Sequence, residues 1–152
     1  IQALDLVGRK LALNGGRALR TYLGLVSAYI TEHKQSEEMR EFVEPLESAL
    51  GDLQKSTSWL MQNALTNPEN AGAASMPYLY VVGLVAIGYM WAQIARTSFD
   101  ALTKDPQDKE FYENKLRTAR YYSSHMLPET VVHRTRVEAG SKNLMELDAA
   151  AF

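Results

Sequence analysis

MPYLYVVGLVAIGYMWAQIA, residues 76–95, carries no charged side chain, and the uncharged run begins earlier, at Asn70, between Glu69 and Arg96. A membrane span, the middle of a protein core, and a face awaiting a partner all read this way. By length alone the run reaches a bilayer, which needs ~20 apolar residues. Its composition points elsewhere. Gly83, Gly88, Gln93 and several alanines hold its transfer free energy well below that of a leucine-rich span. TNPENAGAAS, residues 66–75, is small, polar and turn-rich, so the spacing predicts a loop there, with the helix running from near Pro77 to about Leu102. A helix apolar on every side is expected as the central, buried member of a bundle. Gly83 and Gly88 would let neighbouring backbones come close.

The flanking segments agree, because apolar residues recur at intervals of three and four and no strand-like alternation interrupts them. Leu4, Val7 and Leu11 mark a first helical face, ended by Asn14-Gly15-Gly16, where left-handed backbone is cheap. Leu19, Tyr22, Leu23, Val26 and Ile30 form a second stripe, ending near Lys34. Ser36 is placed to cap a third helix, with Glu37 and Glu38 at the positive end of its dipole. That helix carries Met39, Phe42, Leu46, Ala49, Leu50, Leu53, Leu60 and Ala64. Pro45 should kink it or mark its true start. After the central helix, Asp105-Pro106 reads as a cap and first turn. A fifth helix follows on Phe111, Tyr112, Leu116, Ala119, Tyr122 and Met126. Pro128 ends it and opens a sixth, with Val137, Leu144 and Leu147 on one face. The expected fold is all-α, an antiparallel helical bundle around a central, nearly all-apolar helix.

Bulk composition fits one globular unit. The chain has 152 residues, 46% hydrophobic and 22% charged, enough for a core without staples. A net charge of −2 offers no basic field for nucleic acid or anionic lipid. With no cysteine there is no thiol chemistry, which suits a reducing, cytoplasmic setting.

Candidate chemistry is sparse. His125, Glu129 and His133 are spaced by four, as metal ligation on one helix face requires, but Pro128 falls inside the set, and no metal site is expected. Glu37, Glu41, Glu44 and Glu47 line one side of the third helix, opposite its apolar stripe, and read as a solvated face. Lys115, Arg117, Arg120, Arg134, Arg136 and Lys142 make the last third basic, with Glu113–Arg117 and Glu138–Lys142 at helical pairing distance. Tyr78, Tyr80, Tyr89 and Trp91 allow an alternative, a free-standing helical adaptor with an apolar groove for a partner helix or peptide.

Two stretches are more specific than their physics. IQALDLVGRKL, residues 1–11, resembles the end of the catalytic part of the flavin-dependent acyl-CoA dehydrogenases. KLRTARYYSSHMLPE, residues 115–129, together with GLVAIGYMWAQIA, residues 83–95, resembles the extra C-terminal helical domain of a long-form subgroup that includes relatives of the methylmercaptopropionyl-CoA dehydrogenases. The distinctive pattern is KLxTARxY, at Lys115, Leu116, Thr118, Ala119, Arg120 and Tyr122. The resemblance implies that residues 1–14 are the last helix of an upstream dehydrogenase domain and that 15–152 are an appended helical bundle. It also implies a parent enzyme that binds FAD and oxidises an acyl-CoA thioester with a glutamate base lying upstream of Ile1. No catalytic, cofactor or metal residue is then expected in the chain itself. Lys115, Thr118, Arg120 and Tyr122 are its candidates for docking, with the upstream domain and a homo-oligomer of the parent as partners.

Overall fold

A computed structural model describes residues 1–64, 66–147 and 150, and among them every regular element is helical. Helix α1, Gln2–Asp5, continues into a widened turn, Leu6–Lys10, where the Leu11 N–H donates to the Leu6 carbonyl five residues back at 2.8 Å. That widening aligns Ala3, Val7 and Leu11 toward the core and leaves Leu4, assigned to the same face by spacing, exposed. Asn14, Gly15 and Gly16 then adopt left-handed backbone, with φ of 52°, 64° and 74°, and turn the chain into α2, Arg17–His33.

Ser36 stands at the N-cap of α3, Glu37–Asn63, although its side chain makes no capping hydrogen bond. Pro45 neither starts nor stops this helix. It sits inside it, at the cost of one backbone hydrogen bond, because Phe42, Val43 and Leu46 around it are buried. Helix α4, Pro68–Leu102, starts well before the expected point. Asn67 caps it, its Oδ1 accepting from the Glu69 N–H at 3.0 Å, and Pro68 takes the first turn. From Pro68 onward the stretch read as a loop is therefore helix: its cap-and-proline opening and its alanines outweigh its small, polar composition. Pro77, too, lies within the helix.

Helix α5, Lys109–Tyr121, opens at Asp108, not at Asp105, whose backbone has φ of 48° in the preceding turn. It passes through another widened turn, Tyr122–Met126, and Pro128 occupies the N-cap of α6, Glu129–Ala139. Gly140, with φ of 64°, stops α6, and a short α7, Lys142–Met145, follows. Leu144 and Leu147 consequently leave the Val137 face. Both are exposed, whereas Val137 is fully buried.

Helix α4 is the centre of the bundle, packed against α3, α5, α6 and α1. Phe42, Leu46, Leu53 and Leu60 of α3 meet Tyr78, Val81 and Val85 of α4, with Leu127 and Val137 closing the far side, all at most 1% exposed. Each such side chain contributes about 1.5–3 kcal/mol by leaving water. Helix α2 lies on α3 and reaches α4 through Tyr29, whose hydroxyl donates to the Ala92 carbonyl at 2.9 Å. Yet the central helix is not buried on every side. Met76, Tyr80, Ile87 and Met90 are each about half exposed, which departs from the expectation of an enclosed core helix.

Candidate functional site

Those four residues lie on one line along α4. Spacings of four, seven and three advance a helix by nearly whole turns, so Met76, Tyr80, Ile87 and Met90 stack on one face, with Gly83 between them. The opposite face, Ala74, Tyr78, Val81, Val85 and Ala92, is in the core. The helix is long and apolar enough to cross a membrane, and here one side of it packs against protein. Of the aromatic residues near it, Tyr78 and Tyr89 are buried, Trp91 is partly covered and Tyr80 is open.

The open face runs into a groove of about 290 Å³ between α4 and α5, walled by Met90, Ile94, Thr97, Phe111 and Tyr112. Lys115 stands on its rim, its Nζ 5.1 Å from the Phe111 ring centre and 5.8 Å from that of Trp91. The remaining motif residues point elsewhere. Leu116 and Ala119 are core. Thr118 Oγ1 donates to the Asn114 carbonyl of its own helix at 3.0 Å. Arg120 Nε donates to both carboxylate oxygens of Glu41 on α3, at 2.9 and 3.0 Å. Tyr122 is buried, its hydroxyl donating to the Leu84 carbonyl at 3.1 Å, and burial, helped by the Glu129 charge, pushes its pKa up to about 12. Helix α5 is thus pinned to α3 and α4 by Arg120 and Tyr122, with Lys115 turned to the groove.

The histidines do not converge. His125 stacks on Tyr121 with its Nδ1 2.8 Å from Ser124 Oγ, while His133 stacks on Tyr80. Burial lowers the His133 pKa, with the Arg136 charge adding to it, and its buried Nδ1 has no hydrogen-bond partner. Among the described residues no group of three His, Asp or Glu side chains is arranged to hold a metal ion. Three of the four singled-out glutamates of α3 serve as ion partners, Glu41 to Arg120, Glu47 to Lys34 at 2.8 Å and Glu44 to Arg40 at 3.9 Å, while Glu37 stands exposed in the first turn. Glu138 pairs with Arg134 at 3.1 Å in place of the Lys142 partner that spacing suggested, because Gly140 ends the helix between them.

One polar cluster escaped the sequence reading. Asp52, 5% exposed, accepts from Thr130 Oγ1 and Arg134 Nε, both at 2.9 Å. It bolts α3 to α6. The available signal was its register, three residues after Ala49 and four before the buried Ser56, inside the apolar stripe. As for a flavin dinucleotide, the α4–α5 groove offers apolar walls and one cation, which do not suit a diphosphate and a polar ring system, so these residues do not fit that group.

Known proteins give this architecture a context. At 29% identity, over the whole of this chain and 26% of the relative, the sequence is similar to a broad-specificity linear acyl-CoA dehydrogenase of Mycobacterium tuberculosis. At 28% identity, over 95% of the chain and 25% of the relative, it is similar to the 3-methylmercaptopropionyl-CoA dehydrogenase of Ruegeria pomeroyi. The chain thus spans about a quarter of the length of the curated relatives it matches. The sequence pattern of one domain family covers residues 22–148, from α2 to beyond α7. The chain belongs to the acetyl-CoA dehydrogenase C-terminal-like family.

Proposed function

We propose that this chain is the C-terminal helical domain of a flavin-dependent acyl-CoA dehydrogenase and that its work is structural. In this reading residues 1–14 close the dehydrogenase body and residues 15–152 form the appended bundle. The groove beside α4 does not fit a dinucleotide, which supports placing the FAD in the body; the resemblance to acyl-CoA dehydrogenases places the glutamate base there with it. The reaction of the whole protein is the α,β-oxidation of an acyl-CoA thioester, carried out in the cytoplasm by a homo-oligomer of the parent. The observation that carries the reading is the pairing of a family match over most of the chain with a half-exposed, uncharged face on its central helix. A domain that finished its own folding would not be expected to leave such a face in water.

The test compares two polypeptides: this chain, and the longer product of the gene that encodes it. The longer product is expected to hold flavin, seen by its visible absorbance, and to bleach on addition of acyl-CoA. Flavin held tightly by the 152-residue chain alone, or a longer product that carries none, would sink the reading.

A second reading, a free-standing adaptor that takes a partner helix, draws on the open Tyr80 and the neighbouring groove. An immunoblot of source cells separates the two. The adaptor requires a native polypeptide near 17.0 kDa, whereas the dehydrogenase reading requires one of the relatives' length.

A further inference from the structure

We propose that the open stripe of α4 and the α4–α5 groove form the seat of the upstream catalytic body, which meets them with an uncharged apolar surface and one carboxylate opposite Lys115. This inference rests on the reading just given and assigns that reading a surface.

Three observations define the seat. First, Met76, Tyr80, Ile87 and Met90 stand half exposed in line, and no charge occurs from Asn70 to Ala95, so water gains nothing from this side of α4. Second, Gly83 lies midway along the line, where a Cβ would meet nothing within 4 Å. Gly24, Gly51 and Gly72 are equally open, so what sets Gly83 apart is its place on the exposed apolar line. It leaves a dip between Tyr80 and Ile87 into which a ridge of another element fits. Third, Lys115 rests over Phe111 and Trp91 at the end of the same line without an ion pair among the described residues, whereas Arg120, five positions on, is held by Glu41.

Area selects the occupant. From residue 76 to residue 94 the helix rises about 27 Å, and a third of its circumference gives a stripe of about 300 Å². Two copies facing each other would bury about 600 Å² in all, half of the ~1,200 Å² at which stable complexes begin, and the walls of the small α4–α5 groove do not make up the difference. Contacts between domains of one chain begin at about 600 Å². Covalent linkage also supplies an effective concentration in the millimolar range. The stripe is too small for a stable dimer and sufficient for a tethered neighbour. The relatives carry about three quarters of their length outside the matched region, ample for such a body.

The experiment places a single thiol at Ile87→Cys in the 152-residue chain, which has no cysteine of its own, and in the longer gene product, with labelling assigned by peptide mass. Lys55→Cys, at an exposed site on α3, is the control. The expected result is labelling of residue 87 at least tenfold slower in the longer product, independent of protein concentration, with residue 55 unchanged. Adding Lys115→Glu should restore several-fold of the lost rate. Equal rates at residue 87 in both polypeptides would overturn the proposal. Slowing that grows with concentration in the 152-residue chain would replace the body with a second copy. Slowing only on phosphatidylcholine–phosphatidylglycerol vesicles would replace it with a membrane. Flavin content and thioester oxidation of the same longer product are read in parallel. An active flavoprotein with residue 87 freely labelled defeats this inference alone, while a product without flavin defeats the reading beneath it.

Discussion

Two glycines of α4 look alike in sequence and behave oppositely. A Cβ on Gly88 would lie 2.7 Å from Leu127 Cδ2 and 3.2 Å from Cδ1, and Leu127, 1% exposed, has little room to retreat. Gly88 therefore does permit a close approach, though by a side chain, not a backbone. Gly83 meets nothing. Gly88→Val is expected to lower stability by about 2 kcal/mol through overpacking. Gly83→Ala in the 152-residue chain is expected to raise it by about 1 kcal/mol through helix propensity. Urea unfolding of the two variants checks both signs. The tyrosines supply a pH dependence at the same scale. Burial pushes the hydroxyls of Tyr22, Tyr29 and Tyr122 from about 10 up to about 12. Their protons leave more readily from the unfolded chain, so the stability they lend is whole below pH 10 and is lost as pH rises from 10 to 12. Urea midpoints should fall across that window, with part of the tyrosinate absorbance appearing only as helix is lost. All eight tyrosines titrating near pH 10 with the helices intact would contradict this.

At the scale of elements, the bond between α3 and α6 is the most informative. Asp52 is nearly enclosed, and among the described residues Thr130 and Arg134 are the side chains that satisfy its carboxylate. Arg134→Met leaves that carboxylate half satisfied, and the expected loss is about 3 kcal/mol. Asp52→Leu combined with Arg134→Met removes the charge along with its partner, so the double variant should be more stable than Arg134→Met alone. A double-mutant cycle on unfolding free energies measures the coupling, and additive losses would rule the clamp out. The helix ends show a different lesson. Asn14-Gly15-Gly16 and Pro128 were legible because backbone chemistry dictates them locally. Pro45 was legible as a helix-interior position or a start, and only the structure chose the interior; Pro77 was not legible as one: a proline costs a helix about 3 kcal/mol, and the apolar faces buried on either side offset that cost.

For the whole molecule, the balance between enclosed and open faces of α4 governs behaviour. Ile87→Lys in the 152-residue chain should change unfolding free energy by no more than about 0.5 kcal/mol, because the site is on the surface. The same change should reduce the binding of an apolar dye such as ANS. A large loss of stability would mean that residue 87 is core, against its half-exposed position. The motif at residues 115–122 divides along the same line. Its apolar members were readable as core from their spacing, but the bonds of Arg120 and Tyr122 depend on Glu41 and Leu84, distant in sequence. By itself, the sequence determined an all-helical bundle with α4 at its centre, because apolar periodicity, caps and left-handed turns act over a few residues. Only the tertiary structure decided which side of α4 is covered, since a segment without charge has no polar face to mark its outside, and the neighbours that pack on it choose one.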